Sequence, residues 1–372
     1  MEEQVPFVDL NAMTAEVRPQ IRAAWDGLLD AGQFVGGPVV EEFEGAWARY
    51  CGTTRAVGLA NGTDALQLTL RALDIGPGDE VVLPAATFVA TAEAVVLAGA
   101  TPRFADVSPD TLLMTAETLE AAVTPRTRAV IVVHLYGQMA DLGRLGRFAD
   151  GAGLALIEDA AQAHGATWLG RRAGSVGRAG CFSFYPGKNL GAFGDAGAVV
   201  TSDDVLADRI ACLRDHGRAP GSHVDHVAIG TNSRLDATQA AVLSAKLTRL
   251  DDWNTARRVA ATRYREAFEY GPVRMVEEAP DARGVYHLAV VRVPDRDRLR
   301  DKLAAAGVQT GVHYPVPCHE LEPYRRYATG PLPVAERAAR EIVSLPMFPH
   351  ITEDQVTRVC KAVREASGGF GE

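Results

Sequence analysis

No stretch of this chain approaches the roughly 20 consecutive apolar residues needed to cross a bilayer. Its opening, MEEQVPFVDL, has neither the basic nor the apolar region of a secretory leader. Cysteine is scarce: the five present (Cys51, Cys181, Cys212, Cys318, Cys360) are odd in number, far apart, and never arranged as CxxC. That spacing indicates neither a disulfide framework nor a zinc site, so no metal is expected. Together these absences lead us to expect a cytoplasmic protein with no membrane association. Positive charge is also in short supply, with 38 Lys and Arg against 47 Asp and Glu and a net charge of -9. A general nucleic-acid binder, which needs a basic face, is thereby excluded, though an anionic small molecule is not. Familiar signatures are missing too. There is no GxGxxG, no Walker lysine loop, no HExxH and no GxSxG, and the nine histidines show no metal-ligand spacing. No internal repeat suggests a solenoid.

What is present is a rhythm. From about residue 55, short β-branched runs alternate with longer alanine- and leucine-rich segments. RAVGLA (55–60), EVVLP (80–84), TPRFADV (101–107), RAVIVVHL (128–135) and LALIEDA (154–160) read as strands. DALQLTLRAL (64–73) and TFVATAEAVVLAGA (87–100) read as helices. CFSFY and GAVVTS read as two more strands close together, arranged as a hairpin. This alternation predicts an α/β domain around a mostly parallel sheet buried on both faces. After about residue 250 the pattern changes. A charged helical stretch, LDDWNTARRVAATRYREAFEY, precedes a strand (287–294), a helix ending at Gly307, and the proline-rich HYPVPCHELEP (313–323), which suits neither helix nor central strand. A boundary near 250 is therefore expected, with 1–249 as a large domain and 250–372 as a smaller one.

Three polar stretches fall where parallel strands end, the place where ligands of such sheets gather. In NGTDAL, the glycine, the hydroxyl and the free N–H groups of a helix start suit an anion, most naturally a phosphate. A helix capped by Thr63 or Asp64 explains the same residues. In IEDAAQAHGA, Asp159 ends an apolar strand inside the crevice, where an ionised carboxylate requires a cationic partner; a helix N-cap is again the plainer alternative. In CFSFYPGKNLGAFGDAGA, Lys188 is the only cation among eighteen residues, four of them glycines. Ser183 alternates with its aromatic neighbours and so points away from Phe182 and Phe184. A phosphate cradle, a carboxylate for a ring nitrogen and a lysine for a carbonyl are the parts of a pyridoxal phosphate site. Such a lysine needs its pKa brought down from about 10 by burial or by nearby positive charge.

NGTDALQLTLRAL, LPAATFVATAEAV, TPRTRAVIVVHLYGQMAD, IEDAAQAHGA, SFYPGKNLGAFGDAGAVVT and NSRLDATQAAVL resemble, in order, the pyridoxal-phosphate sugar aminotransferases of the DegT/DnrJ/StrS type. The likeness runs from about residue 5 to about 350. It implies an aspartate-aminotransferase-like fold (fold type I): a large domain with a mostly parallel seven-stranded sheet and an N-terminal arm, plus a smaller C-terminal α+β domain. It also implies a homodimer with active sites at the interface. By motif, Lys188 resembles the Schiff-base lysine, Asp159 the partner of the pyridine nitrogen, and Gln162 the partner of the phenolic oxygen. Phe88 is similar to the aromatic that stacks on the ring. Gly62, Thr63 and Ser183, helped by the amide of Asp64, match the phosphate cradle, and Asn232 the asparagine that reaches the phosphate from the neighbouring subunit. His164 and Tyr185 are given supporting roles.

The implied chemistry uses pyridoxal 5'-phosphate, with pyridoxamine phosphate as its intermediate form. L-glutamate is the expected amino donor and a dTDP-keto-sugar the expected acceptor. Relatives that dehydrate carry histidine in place of the lysine, so the retained Lys188 implies transamination. Ala196, in GDAGA, departs from the family's glycine run by one methyl. HLYGQMAD and GVHYPVPCHELEPY resemble the subgroup acting on dTDP-3-keto-6-deoxy sugars, which would place His313 and Tyr314 near the nucleotide-sugar; a structural proline loop is the alternative. A 4-keto sugar is the close alternative substrate. A regulator without turnover and a nicotinamide-dependent sugar oxidoreductase are the rival classes, and the latter lacks its glycine fingerprint.

Overall fold

The structure, a computed structural model, describes residues 4–219, 221–222 and 224–368. Two helices come first, α1 (Leu10–Ala31) and α2 (Pro38–Cys51). The expected alternation follows: β1 (Arg55–Leu59), α3 (Gly62–Ala72), β2 (Glu80–Pro84), α4 (Val89–Leu97), β3 (Thr101–Ala105), α5 (Ala116–Ala122), β4 (Thr127–Val133), α6 (Leu142–Gly151) and β5 (Ala155–Asp159). The short β6 (Thr167–Trp168) and β7 (Arg171–Arg172) lead to β8 (Ala179–Ser183) and β9 (Gly197–Thr201). Three helices come next: α7 (Asp204–Arg214), α8 (Ala237–Leu247) and α9 (Leu250–Ala267). The remainder comprises β10 (Arg274–Met275), β11 (Ala282–Arg283), β12 (Ala289–Arg292), α10 (Arg296–Ala305), α11 (Pro333–Glu341), β13 (Ile342–Leu345) and α12 (Glu353–Ser367).

The large sheet has seven strands in the order β1-β9-β8-β5-β4-β2-β3. Helices cover both faces, so β2 and β9 are buried along their whole length, as apolar runs without alternation require. Neighbouring pairs from β3 to β8 are parallel; β9 alone runs against its neighbours β8 and β1. That reversal has a consequence for function. A parallel neighbour would need a crossover to the far end of the sheet, whereas the chain from β8 to β9 leaves and returns at one edge. Residues 184–196, with Lys188, therefore stay at the edge where β1, β2, β4 and β5 end. The expected hairpin is correct in its pairing but has this long excursion in place of a tight turn. The excursion is tightly folded: Phe184 N donates to Ala196 O at 2.7 Å and Ala192 N to Phe184 O at 2.8 Å. A Cβ on Gly191 would lie 2.3 Å from Pro186 O, so only glycine fits there.

A second apolar cluster joins α9, α10 and α12 to the small sheet β10-β12-β13, with Val5 of the N-terminal arm inside it. The charged stretch expected to be helical is α9, and its buried face reads Leu250, Trp253, Asn254, Arg257, Ala260, Ala261 and Tyr264. Two of those seven are polar groups that burial penalises unless they are bonded. The proline-rich 313–323 segment forms neither α-helix nor strand, only single 3-10 turns at Cys318–Glu320 and from Glu322.

Candidate active site

At the strand edge lies a cavity of about 540 Å³. It gathers Gly62 and Thr63 from the end of β1, Phe88 from the end of β2, Asp159 and Gln162 from the end of β5, and Ser183, Tyr185 and Lys188 from the end of β8. His313 and Tyr314 close it from the proline-rich segment. Asp64, His164 and Asn232 do not line it.

One end of the cavity suits an anion. Asn61 is the N-cap of α3, and its Oδ1 accepts from Asp64 N at 2.8 Å. The expected cap at Thr63 or Asp64 is thus two or three positions too late, and the Asp64 amide assigned to the cradle is already bonded. The amides of Gly62 and Thr63 remain at the helix start, where a phosphate is favoured. A Cβ on Gly62 would come within 2.7 Å of Ser183 Cβ, so glycine is what lets these two walls touch. Behind Ser183, His164 Nε2 donates to Ser183 O at 2.9 Å, while Nδ1 is buried without a partner. Burial, aided by the Lys188 charge, lowers its pKa to about 3. His164 therefore stands behind Ser183 as a neutral ring.

The opposite requirement appears at Asp159. No helix follows β5, so the N-cap alternative fails. Among the described residues its hydrogen-bond partners are neutral: Thr91 Oγ1 donates to Oδ2 at 2.8 Å and Ala161 N to Oδ1 at 3.2 Å. Burial raises its pKa despite those bonds and the Lys188 charge. A buried carboxyl held this way lacks a contacting cation. Lys188, facing the same cavity, has its pKa lowered to about 8 by burial, which the Asp159 charge only partly offsets. Its amine is therefore available to react near neutral pH.

Polar groups in the middle are held at fixed angles. Gln162 Oε1 accepts from Tyr136 N at 2.6 Å, which obliges its NH₂ to face the cavity, where it donates to Tyr314 Oη at 3.1 Å. Phe88, 51% exposed, offers a ring face that no core packing uses, and Tyr314 lies 5.3 Å from it. Tyr136 Oη donates to His313 O at 2.7 Å, and His313 stacks on Phe7 at 5.7 Å. Burial and the Lys188 charge take the His313 pKa down to about 4. Tyr185 stands exposed at the rim. Asn232 is exposed on another part of the chain, bridged to Asp215.

These residues fit a flat, cationic heteroaromatic ring that carries a phosphate and a carbonyl. Asp159 needs a cation, the α3 start takes an anion, Phe88 takes a ring face, and Lys188 takes a carbonyl. Reading the sequence missed Asn61, Thr91, Tyr136, His287 and the arm residues Phe7 and Val8. Thr91 alone left a local signal: it stands four residues after Thr87, which precedes α4, and the two hydroxyls meet at 2.8 Å.

The sequence profile of the DegT/DnrJ/EryC1/StrS aminotransferase family matches residues 16–364. The dTDP-3-amino-3,4,6-trideoxy-alpha-D-glucose transaminase of Streptomyces venezuelae is 48% identical over 365 residues, covering 97% of this chain and 96% of that protein. The erythromycin biosynthesis sensory transduction protein EryC1 of Saccharopolyspora erythraea is 45% identical over 97% of this chain and 99% of its own length. Among solved structures, that of S. venezuelae DesV in complex with a ketimine intermediate superposes with a TM-score of 0.96. It is 47% identical and covers 98% of this chain and 99% of that one.

Proposed function

Because the chain belongs to the DegT/DnrJ/EryC1/StrS aminotransferase family, we propose that it transfers the amino group of L-glutamate to a dTDP-3-keto-6-deoxyhexose. The product is a dTDP-3-amino-3,6-dideoxyhexose, a step in deoxyamino-sugar biosynthesis. The protein is a pyridoxal-phosphate-dependent sugar-nucleotide aminotransferase with an aspartate-aminotransferase-like fold. One observation carries the chemistry: the Lys188 amine, with its pKa lowered to about 8, shares a cavity with a buried carboxyl that has no cation in contact. The name of the S. venezuelae relative supports position 3 of the sugar as the site of amination.

When bound, pyridoxal phosphate supplies a carbonyl that captures amines and a ring that withdraws electrons. The protein's residues do the rest. Gly62, Thr63 and Ser183 would hold the phosphate, and Asp159 would keep the ring nitrogen protonated. Phe88 would cover one ring face, and the Gln162 NH₂ would serve the phenolic oxygen. Lys188 Nζ moves protons, accepting one as a base and returning it as an acid. His313, Tyr314 and Tyr185 face the sugar.

We further propose a homodimer in which Asn232 reaches the phosphate in the neighbouring subunit's site. The exposed Val224, Val227 and Ile229, close to Asn232 in sequence, support such an interface. A domain boundary near residue 250 is supported by the separate apolar cluster built around α9 to α12. Five free cysteines support a reducing, cytoplasmic location. Among the described residues no helix is long and apolar enough to cross a membrane.

Absorbance spectra and two acceptors test the reading. Purified protein with pyridoxal phosphate should show a visible band that bleaches with L-glutamate, and should then aminate the 3-keto acceptor faster than its 4-keto isomer. A band that glutamate leaves untouched would refute the donor, turnover of the 4-keto sugar alone would refute the position, and absence of any turnover would favour a regulator.

A further inference from the structure

Lys188 is followed by an asparagine whose side chain turns away from the cavity. Asn189 is 1% exposed, and so is Asn254 on the buried face of α9. Asn189 Nδ2 donates to Asn254 Oδ1 at 2.9 Å and to Val285 O at 3.0 Å, and Asn189 Oδ1 meets His287 Nδ1 at 3.2 Å. Asn254 Nδ2 in turn donates to His164 O at 2.8 Å. Both amide orientations follow from chemistry, because the carbonyls of Val285 and His164 can only accept. His287 must then carry its proton on Nδ1.

The bonds form one continuous path: Lys188 to Asn189 by the chain, then Asn254, then His164, whose Nε2 holds the carbonyl of Ser183. Its two ends are the amine and the phosphate cradle, and the span between them is what a cofactor attached at both ends must match. Packing against α9 is close here: a Cβ on Gly165 would lie 2.8 Å from Asn254 Nδ2. Apolar side chains would fill the same volume without desolvating two amides. A buried amide pair with fixed partners sets one geometry where apolar packing tolerates several.

Resting on the functional reading above, we infer that Asn254 is a positioning residue: through Asn189 and His164 it sets the separation between the Lys188 amine and the Ser183 side of the phosphate cradle. It touches neither substrate nor cofactor. Asn254→Ala removes both bonds. Asn254→Asp keeps the acceptor for Asn189 and loses the donor to His164.

Purified variants are titrated with pyridoxal phosphate, recording its dissociation constant and the pH midpoint of the visible band, beside the melting temperature. Ala260→Gly, on the same helix and outside the path, is the control for general weakening. Expected for Asn254→Ala is cofactor binding weaker by about tenfold and a band midpoint moved by roughly 0.5 unit, with Asn254→Asp in between. Ala260→Gly is expected to lower the melting temperature and move neither. Should Asn254→Ala fail to fold, Asn254→Asp decides. A wild-type band that the folded Asn254 variants keep, with unchanged affinity and midpoint, overturns the clamp alone; a wild type without any band overturns the functional reading and the clamp with it.

Discussion

Glu158 and Asp159 are consecutive carboxylates on one strand, both buried, and they face opposite sides of the sheet. Glu158 is closed in by four donors: His134 Nε2 at 2.9 Å and the amides of Gly174, Val176 and Gly177 at 2.6–2.8 Å. Burial alone would push its pKa up, but those partners outweigh burial and hold it below the ordinary 4.5. Asp159 has two neutral donors and an open cavity, and its pKa rises. Two buried lysines repeat the contrast. Lys246, on α8, also has its pKa lowered to about 8 by burial, yet its Nζ is bonded to Gly191 O at 2.6 Å. Lys188, with a similar pKa, faces the cavity. A shifted pKa therefore does not identify a reactive group here. What separates chemistry from architecture is whether the group is tied to a partner inside the protein or left facing the cavity.

The sharpest test of that rule is Lys188→Ala. Turnover should fall by at least about 10⁴-fold while the melting temperature stays within a few degrees of wild type. Wild-type turnover in that variant would end the assignment.

Glu158→Ala should act the other way, costing about 3–5 kcal/mol in urea unfolding because His134 and three amides lose their acceptor. Turnover of the remaining folded fraction should change only a few-fold. A depressed carboxyl stabilises above its unfolded value near 4.5 and loses that contribution as pH falls. The deficit of this variant should accordingly shrink in acid.

Asp159→Asn should lower turnover by roughly a hundredfold, since the ring nitrogen loses its counter-charge. With the cofactor removed, however, it should be as stable as wild type or more so at pH 7. A raised carboxyl contributes stability below its unfolded 3.8 and loses it as pH rises through the folded value. A large loss of cofactor-free stability at pH 7 would place Asp159 with Glu158 after all. The smallest effect is expected for Lys246→Met, about 1 kcal/mol and a few-fold in turnover, because a lost hydrogen bond is offset by removal of a buried amine.

How much of this was legible in the sequence follows from distance along the chain. Asp159, Gln162, Ser183, Lys188 and the Gly62–Thr63 pair stand where apolar runs stop, and a run that stops at a glycine or a charge is visible locally. Asp159 stood out as the end of an apolar strand, and the phase of β8 turned Ser183 away from Phe182 and Phe184. Lys246, Asn254, His287 and Phe7 gave no such sign. Phe7 and His287 line the cavity and Lys246 and Asn254 lie behind it, and only tertiary packing shows which way each points. On α9, Asn254 and Arg257 occupy apolar positions of the helix, and that misfit within the charged stretch was the one available hint. The cap of α3 was misplaced because Asn61, Thr63 and Asp64 are all competent capping residues, and only the backbone, extended at Asn61, distinguishes them.

Phe7 N donates to Gln309 Oε1 at 3.0 Å, Met347 N donates to Phe7 O at 3.2 Å, and the Phe7 ring lies against His313. Translation makes Phe7 302 residues before Gln309, and Met347 later still. On the ribosome the amine, the carboxyl and the cradle can all be assembled while this side of the pocket still gapes. The arm acquires its full seat only when Met347 has cleared the exit tunnel, so this wall of the pocket closes later in synthesis than the wall that carries the amine.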